Sequence, residues 1–183
     1  MNLVTRATVK AFLEITVLTY DDLLDSLIAQ NSKRIEKFCN RLFEKTARTQ
    51  KFNAGRKDIF LPAYPIDSTA TLTVTLDSTV QTLNTDYYVY HDEGWIEFFV
   101  SPSYTEPQQL SITWTGGYAV ADIPSDLQYA AMLQVAFMFR RRKDLGVSSI
   151  SLPDGSMSVN NPADLLPEVK HIIRSYRKTP GPR

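Results

Sequence analysis

Apolar residues recur at three- and four-residue steps toward both ends of the chain and at every second position in its middle. That change of period predicts the architecture. Val9, Phe12 and Leu13 share one side of a short helix over residues 5–13. Leu24, Leu27, Ile28, Ile35, Phe38, Cys39 and Leu42 then form a stripe that predicts a long helix over residues 21–43. From Thr49 to Thr115 alternation takes over, in Thr71-Leu72-Thr73-Val74-Thr75-Leu76 and again in Leu110-Ser111-Ile112-Thr113-Trp114. Asp86-Tyr87-Tyr88-Val89-Tyr90 and Trp95-Ile96-Glu97-Phe98-Phe99 are rich in β-formers and flank a hairpin turn at His91-Asp92-Glu93-Gly94, while Ile59-Phe60-Leu61 is a strand ended by Pro62. These four or five short strands predict a small antiparallel sheet or half-barrel.

Helical spacing returns over residues 125–144, where Leu127 through Phe139 is nearly all apolar and Ala130, Ala131 and Ala136 allow close approach. A stop is expected at Gly146, followed by a polar loop over 147–161, mobile in an isolated subunit. A last helix over 167–178 places Val169, Ile172, Ile173 and Tyr176 on one face, and Thr179-Pro180-Gly181-Pro182-Arg183 cannot extend it. The fold class is therefore α+β: a helical bundle with an antiparallel β-sheet inserted between the second and third main helices. One domain is expected, divided into N-terminal helices (1–48), a β insertion (49–118), C-terminal helices (119–178) and a flexible tail (179–183).

Composition narrows the class. A length of 183 residues, 43% of them hydrophobic and 11% aromatic, describes a globular chain able to bury a core. No apolar run approaches the roughly 20 residues needed to span a bilayer. The first residues lack the apolar core of a signal peptide, and a single cysteine, Cys39, fits a reducing compartment, so a cytosolic product is expected. The net charge of zero hides an asymmetry: residues 49–139 carry three basic and ten acidic side chains, and residues 140–183 carry nine basic and four acidic ones. An acidic middle repels phosphates, whereas a basic C-terminal end suits an acidic partner.

Candidate chemistry is sparse. His91 falls at a hairpin turn and His171 on a polar helix side, with no HExxH or CxxC spacing for a metal, and Cys39 lies on an apolar stripe as a small core residue. Asp21, Asp22 and Asp25 stand where a helix N-terminus favours carboxylates. Gly116-Gly117 lacks the lysine and hydroxyl of a phosphate loop. No convergent catalytic set emerges, so no enzyme, cofactor or metal is expected. Arg140, Arg141, Arg142 and Lys143 are the best nucleic-acid candidates, but four consecutive helical residues point around the whole circumference. Tyr87, Tyr88, Tyr90, Trp95, Phe98 and Phe99 offer a base-stacking platform, yet only three basic residues lie in that middle segment, which favours core or interface packing.

The most specific feature is a joint: the strand ending in Trp114-Thr115-Gly116-Gly117-Tyr118 leads through Ile123-Pro124-Ser125-Asp126-Leu127, with proline in the first helical turn. Together with Leu61-Pro62-Ala63-Tyr64-Pro65-Ile66, the Asp86-Tyr87-Tyr88-Val89 strand, and a Leu166-Pro167 helix ending at Arg177-Lys178, this order of motifs resembles the head-tail connector (adaptor) proteins of tailed bacteriophages. The resemblance covers nearly the whole chain except loop 147–161. It implies a structural adaptor that forms a ring of about twelve subunits under the portal protein of the virion, assembled in the host cytoplasm. Such a ring extends the DNA channel, without sequence-specific DNA binding or membrane contact, and offers a docking platform to a stopper or tail-completion protein. The alternatives are a stopper or tail-completion protein itself, or a nucleic-acid-binding module using Arg140 to Lys143. On the adaptor reading, Arg174, Tyr176, Arg177, Lys178 and Arg183 are the portal-binding candidates, and Leu127, Ala130, Ala131, Leu133, Val135 and Phe137 the subunit-packing candidates.

Overall fold

Thr5 opens the first helix, α1 (Arg6–Leu13), because its hydroxyl accepts from the Thr8 amide and satisfies a donor the helix cannot. Glu14, at φ 58°, closes it. A computed structural model describes residues 1–142 and 164–178, together with the backbone of Ser149–Leu152 and Gly155–Ser158. The chain divides into two compact units: residues 1–39 with 123–177, and residues 40–122 with the segment from Lys178.

The first unit is helical. α2 (Asp21–Cys39) buries Leu24, Ile28, Ile35 and Cys39, and α3 (Ser125–Arg140) buries Leu127, Ala130, Ala131, Val135 and Phe139. α4 (Pro167–Ile173) buries Val169 and Ile173, then tightens into a 3₁₀ turn, Arg174–Tyr176. The expected carboxylate cluster is taken up by α1: Asp21 pairs with Lys10 at 2.7 Å and Asp25 with Arg6 at 2.8 Å. Polar side chains also reach between helices. Asn31 Nδ2 donates to the Ala131 carbonyl at 2.9 Å, and Gln134, wholly buried, donates to the Asp164 carbonyl while accepting from the Leu166 amide, both at 2.9 Å.

Three expected boundaries move. α2 stops at Cys39 rather than residue 43, because Asn40 adopts a left-handed conformation (φ 49°) that ends a helix. α3 ends at Arg140, where the Arg142 guanidinium folds back onto the Phe139 carbonyl at 2.6 Å; Lys143 and Asp144 lie outside the described residues. Pro124 stands at the cap of α3, one place before its first turn. The loop expected over 147–161 contains a hairpin, β8 (Ser149–Leu152) with β9 (Gly155–Ser158), and its remaining residues, like the tail 179–183, lie outside the described residues.

The second unit carries seven strands: β1 (Thr46–Phe52), β2 (Asp58–Phe60), β3 (Thr73–Leu76), β4 (Thr79–Val80), β5 (Tyr87–Tyr90), β6 (Trp95–Phe98) and β7 (Leu110–Gly116). They form two antiparallel sheets, ordered β1-β7-β3-β4 and β2-β6-β5. β7 alternates buried and half-buried along its whole length. Its Leu110, Ile112 and Trp114 join Ile59, Leu61, Val74, Tyr87, Val89, Ile96 and Phe98 in one core shared by both sheets. Trp114 Nε1 donates to the Ala63 carbonyl at 2.9 Å, satisfying the indole inside that core.

The glycine joint has a steric cause. Gly117 sits at φ +106°, and a Cβ there would stand 2.6 Å from the Glu44 and Phe43 backbone. Around it the Tyr118 amide bonds the Phe43 carbonyl at 2.7 Å and the Lys45 amide bonds the Tyr118 carbonyl at 3.0 Å. A Cβ on Gly116 would meet the Ala63 carbonyl oxygen at 2.3 Å. Two glycines are needed because two backbones pass within contact of a third.

Asp67 fastens the neighbouring turn. Its carboxylate accepts from the Thr69 hydroxyl at 2.7 Å and the Thr69 amide at 3.0 Å, and pairs with Lys45 at 2.9 Å. These partners, the Thr69 hydroxyl foremost, lower its pKa from 3.8 to about 2. A carboxylate depressed in the folded state stabilises above its unfolded value and loses that contribution as pH falls through the folded one. Asp67→Asn should therefore flatten the acid limb of the stability curve between pH 3.8 and about 2. Denaturant midpoints measured across that range check this, and limbs of equal slope in both proteins would contradict it.

Candidate assembly interface

The sequence-predicted residues separate once their surroundings are known. Of the subunit-packing candidates, Leu127, Ala130, Ala131 and Val135 are wholly buried inside the helical unit, because α1, α2 and α4 all pack on α3. They cannot face a neighbouring subunit. Leu133 and Phe137 are only half-buried and remain available. The long apolar run thus reflects a helix packed from several sides of its own unit, a pattern that sequence cannot distinguish from an intersubunit face.

The basic helix end spends part of its charge on its own unit. Arg140 is exposed, whereas Arg142 stacks its guanidinium 4.1 Å from the Phe139 ring centroid and 5.1 Å from that of Tyr20. Arg141 lies 6.0 Å from the Phe137 ring. Capping a helix terminus and covering aromatic rings uses the charge locally.

The C-terminal candidates divide similarly. Tyr176 donates its hydroxyl to Asp126, at the start of α3. Lys178 bonds the Phe60 carbonyl at 3.2 Å, and burial lowers its pKa. Arg174 and Arg177 are exposed, while Arg183 lies outside the described residues. Tyr176 and Lys178 are therefore anchors of the segment, and the two exposed arginines are its outward charges.

The aromatic residues of the middle segment split by alternation. Tyr87 and Phe98 point into the core. Tyr88, Tyr90 and Trp95 lie on the opposite face of the β2-β6-β5 sheet and are joined there by Phe60, whose place depends on strand register. Tyr90 and Trp95 stack at 3.9 Å with planes 3° apart, Phe60 stacks on Trp95 at 5.7 Å, and Tyr88 meets Tyr90 edge-on at 5.1 Å. Because the rings occupy one another's faces, they offer no platform for inserted bases. Glu97 stands beside them, paired with Lys57 at 2.7 Å and accepting from the Tyr90 hydroxyl at 3.0 Å; both partners lower its pKa.

A buried cation was missed by the sequence reading. Arg41, 5% exposed, donates to the Tyr64 carbonyl and to the Tyr118 hydroxyl, with its Cζ 3.4 Å from the Tyr64 ring centroid. It ties the Gly116-Gly117 joint to the Tyr64-Pro65 turn. Its only sequence signal is a position directly after the residue that ends α2. Elsewhere, Cys39 is buried with its thiol 3.5 Å from the Ile173 carbonyl, and His91 Nδ1 lies 3.2 Å from the Ile66 carbonyl. Among the described residues no group of three or more His, Cys, Asp or Glu side chains could hold a metal, and no helix is long and apolar enough to cross a membrane.

Exposed apolar side chains include Val17 and Leu18 before α2, and Leu83, Phe99 and Val100 on the β unit. Solved structures share the architecture. A chain in the neck of an empty gene transfer agent particle, computed with C6 symmetry, aligns with a TM-score of 0.64 at 18% identity over 95% of this chain and 88% of that one. A chain of the native gene transfer agent virion gives 0.59 at 19% identity, covering 90% and 81%. One from the native neck computed with C12 symmetry gives 0.59 at 17%, covering 93% and 88%. No curated protein matches the sequence. The likeness of fold extends to sequence at the family level, where the model of head completion proteins matches residues 2–179, and the chain belongs to that family.

Proposed function

We propose that this protein is the adaptor of a phage-type neck: a structural, non-enzymatic subunit that assembles under the portal, extends the DNA channel and receives the next neck or tail component. The observation that carries this reading is the head completion family match over residues 2–179, supported by a shared fold with a neck chain from a particle treated with C12 symmetry. A rotationally repeated, heterologous contact closes a ring. Leu133, Phe137, Val17 and Leu18 supply apolar surface for it on the helical unit. The acidic β segment lets DNA slide past rather than stick.

Portal attachment is assigned to the exposed Arg174 and Arg177, held outward by the Tyr176 and Lys178 anchors. Charge reversal, Arg174→Glu with Arg177→Glu, should leave folding unchanged and slow association with portal by about tenfold or more, with the difference shrinking as salt rises. Surface plasmon resonance against immobilised portal measures this; unchanged association at low salt contradicts the assignment. The function itself is tested by completion in vitro. DNA-filled heads lacking this protein should retain DNA and accept tails once it is added. Binding only to heads that already carry an adaptor ring would make it a stopper instead.

A further inference from the structure

We propose that the outer edge of β1 is a docking site for an extended, acidic segment of a different protein, which adds a strand to the β1-β7-β3-β4 sheet. The Gly117 amide bonds the Pro65 carbonyl and the Asp67 amide bonds the Thr115 carbonyl, so Thr115 and Gly117 turn their backbone groups away from β1. Gly116 turns its own toward β1. The register Thr46↔Gly116 then gives β7 the backbone groups of Thr46, Arg48, Gln50 and Phe52. Those of Ala47, Thr49 and Lys51 point outward, and among the described residues they have no hydrogen-bond partner. The other sheet edges are short or covered. β4 has two residues, the Phe60 carbonyl of β2 accepts from Lys178 at 3.2 Å, and the Tyr87 carbonyl of β5 accepts from the Asn84 amide at 2.8 Å. β1 is seven residues of continuous ladder without proline or bulge, and its edge is open.

Charge selects the occupant. Every Lys and Arg of residues 40–122 lies between Arg41 and Lys57, and residues 58–122 carry nine carboxylates and neither basic residue. Arg41 is buried, Lys45 pairs with Asp67 and Lys57 with Glu97, which leaves Arg48, Lys51 and Arg56 without an ion pair among the described residues. Lys51 shares the row of Ala47 and Thr49, whereas Arg48 stands in the opposite row with its guanidinium on the Glu44 and Thr46 carbonyls. The edge is therefore positive on both faces of the sheet. No carboxylate lies on β1; Glu44 precedes it, and Glu106 belongs to the loop that joins Asn53 after it. A β1 strand from a second copy would bring Arg48 and Lys51 against their own kind, and like charges on an edge oppose self-pairing. The carboxylates of a second copy come with no free edge of matching length, since β2 has three residues and β4 two. A foreign strand with aspartate or glutamate at alternate positions finds open backbone to pair with and a cation on either face. The site belongs to the β unit alone and holds whether or not the protein closes a ring.

Backbone amide exchange in the full chain tests this, with a seven-residue peptide alternating glutamate and threonine as the probe and its lysine counterpart as the control. At millimolar glutamate peptide, exchange at Ala47, Thr49 and Lys51 should slow about tenfold, while Arg48 and Gln50, already bonded to β7, stay as they were. Thr49→Pro removes an outward amide that the ladder to β7 does not use. It should keep the emission of the buried Trp114 and weaken peptide binding about tenfold. Lys51→Glu should cut the preference for the glutamate peptide. Absent protection along β1 overturns the proposal, as does equal protection by the lysine peptide. So does undiminished binding by a folded Thr49→Pro variant, or a preference that Lys51→Glu leaves unchanged. Protection at the same three amides that rises with protein concentration alone would give the edge to a second copy and overturn it too.

Discussion

Replacing Gly117 with valine is expected to remove about 4 kcal/mol of stability, a large share of the 5–15 kcal/mol that holds a typical domain together. Two costs combine. A φ of +106° is open to glycine and strained for any residue with a Cβ, at roughly 1–3 kcal/mol. The added Cβ would also stand 2.6 Å from backbone atoms of Phe43 and Glu44, which cannot rotate away as a side chain could. Relief requires separating the segments joined by Tyr118 N–H to Phe43 O and Lys45 N–H to Tyr118 O, each worth about 1 kcal/mol. Denaturant unfolding followed by tryptophan fluorescence measures the loss, since Trp114 lies on the strand that enters the joint. A variant within 1 kcal/mol of the parent would show that the joint does not constrain the β unit.

The second large effect is expected at Gln134→Leu. The side chain is buried and binds two backbone groups of the segment leading into α4, the Asp164 carbonyl and the Leu166 amide. Leucine preserves most of the volume but removes both bonds; Asp164 is exposed and its carbonyl can turn to water, so the cost falls mainly on the half-buried Leu166 amide and on the lost bonds, at about 1–3 kcal/mol. A total near 2 kcal/mol is expected, with α4 losing amide-exchange protection before α2 or α3 does. Because the segment directly after α4 carries Arg174 and Arg177, the variant should also weaken portal attachment if the assignment proposed for them holds. Uniform loss of protection across all helices would instead mean that Gln134 supports the whole unit.

The sequence revealed the pieces whose burial is one-sided and periodic. Strand β7 alternates throughout and was legible residue by residue, as was the switch from strand to helix through Gly116-Gly117 and Pro124. The length of α2 was not. Its apolar stripe continues to Leu42 because Leu42 and Phe43 are required by the β unit, and only the left-handed Asn40 ends the helix. Strand β1 was also invisible from the periodicity. As an edge strand its residues are mostly exposed, so no alternation marks it. At the candidate surfaces, type and charge could be read but not pairing. The arginine run reads in sequence as a basic helix end, whereas Arg142 covers Phe139, and Phe60 joins the aromatic row at Trp95 only through strand register.

The central claim is that this head completion protein closes a ring on the portal. Native mass measurement of the purified protein mixed with portal, with electron microscopy of the same sample, tests it most directly. The account predicts a portal-bound ring whose copy number matches the C12 symmetry applied to the related neck. A chain that stays monomeric at high concentration and leaves portal unbound would contradict it.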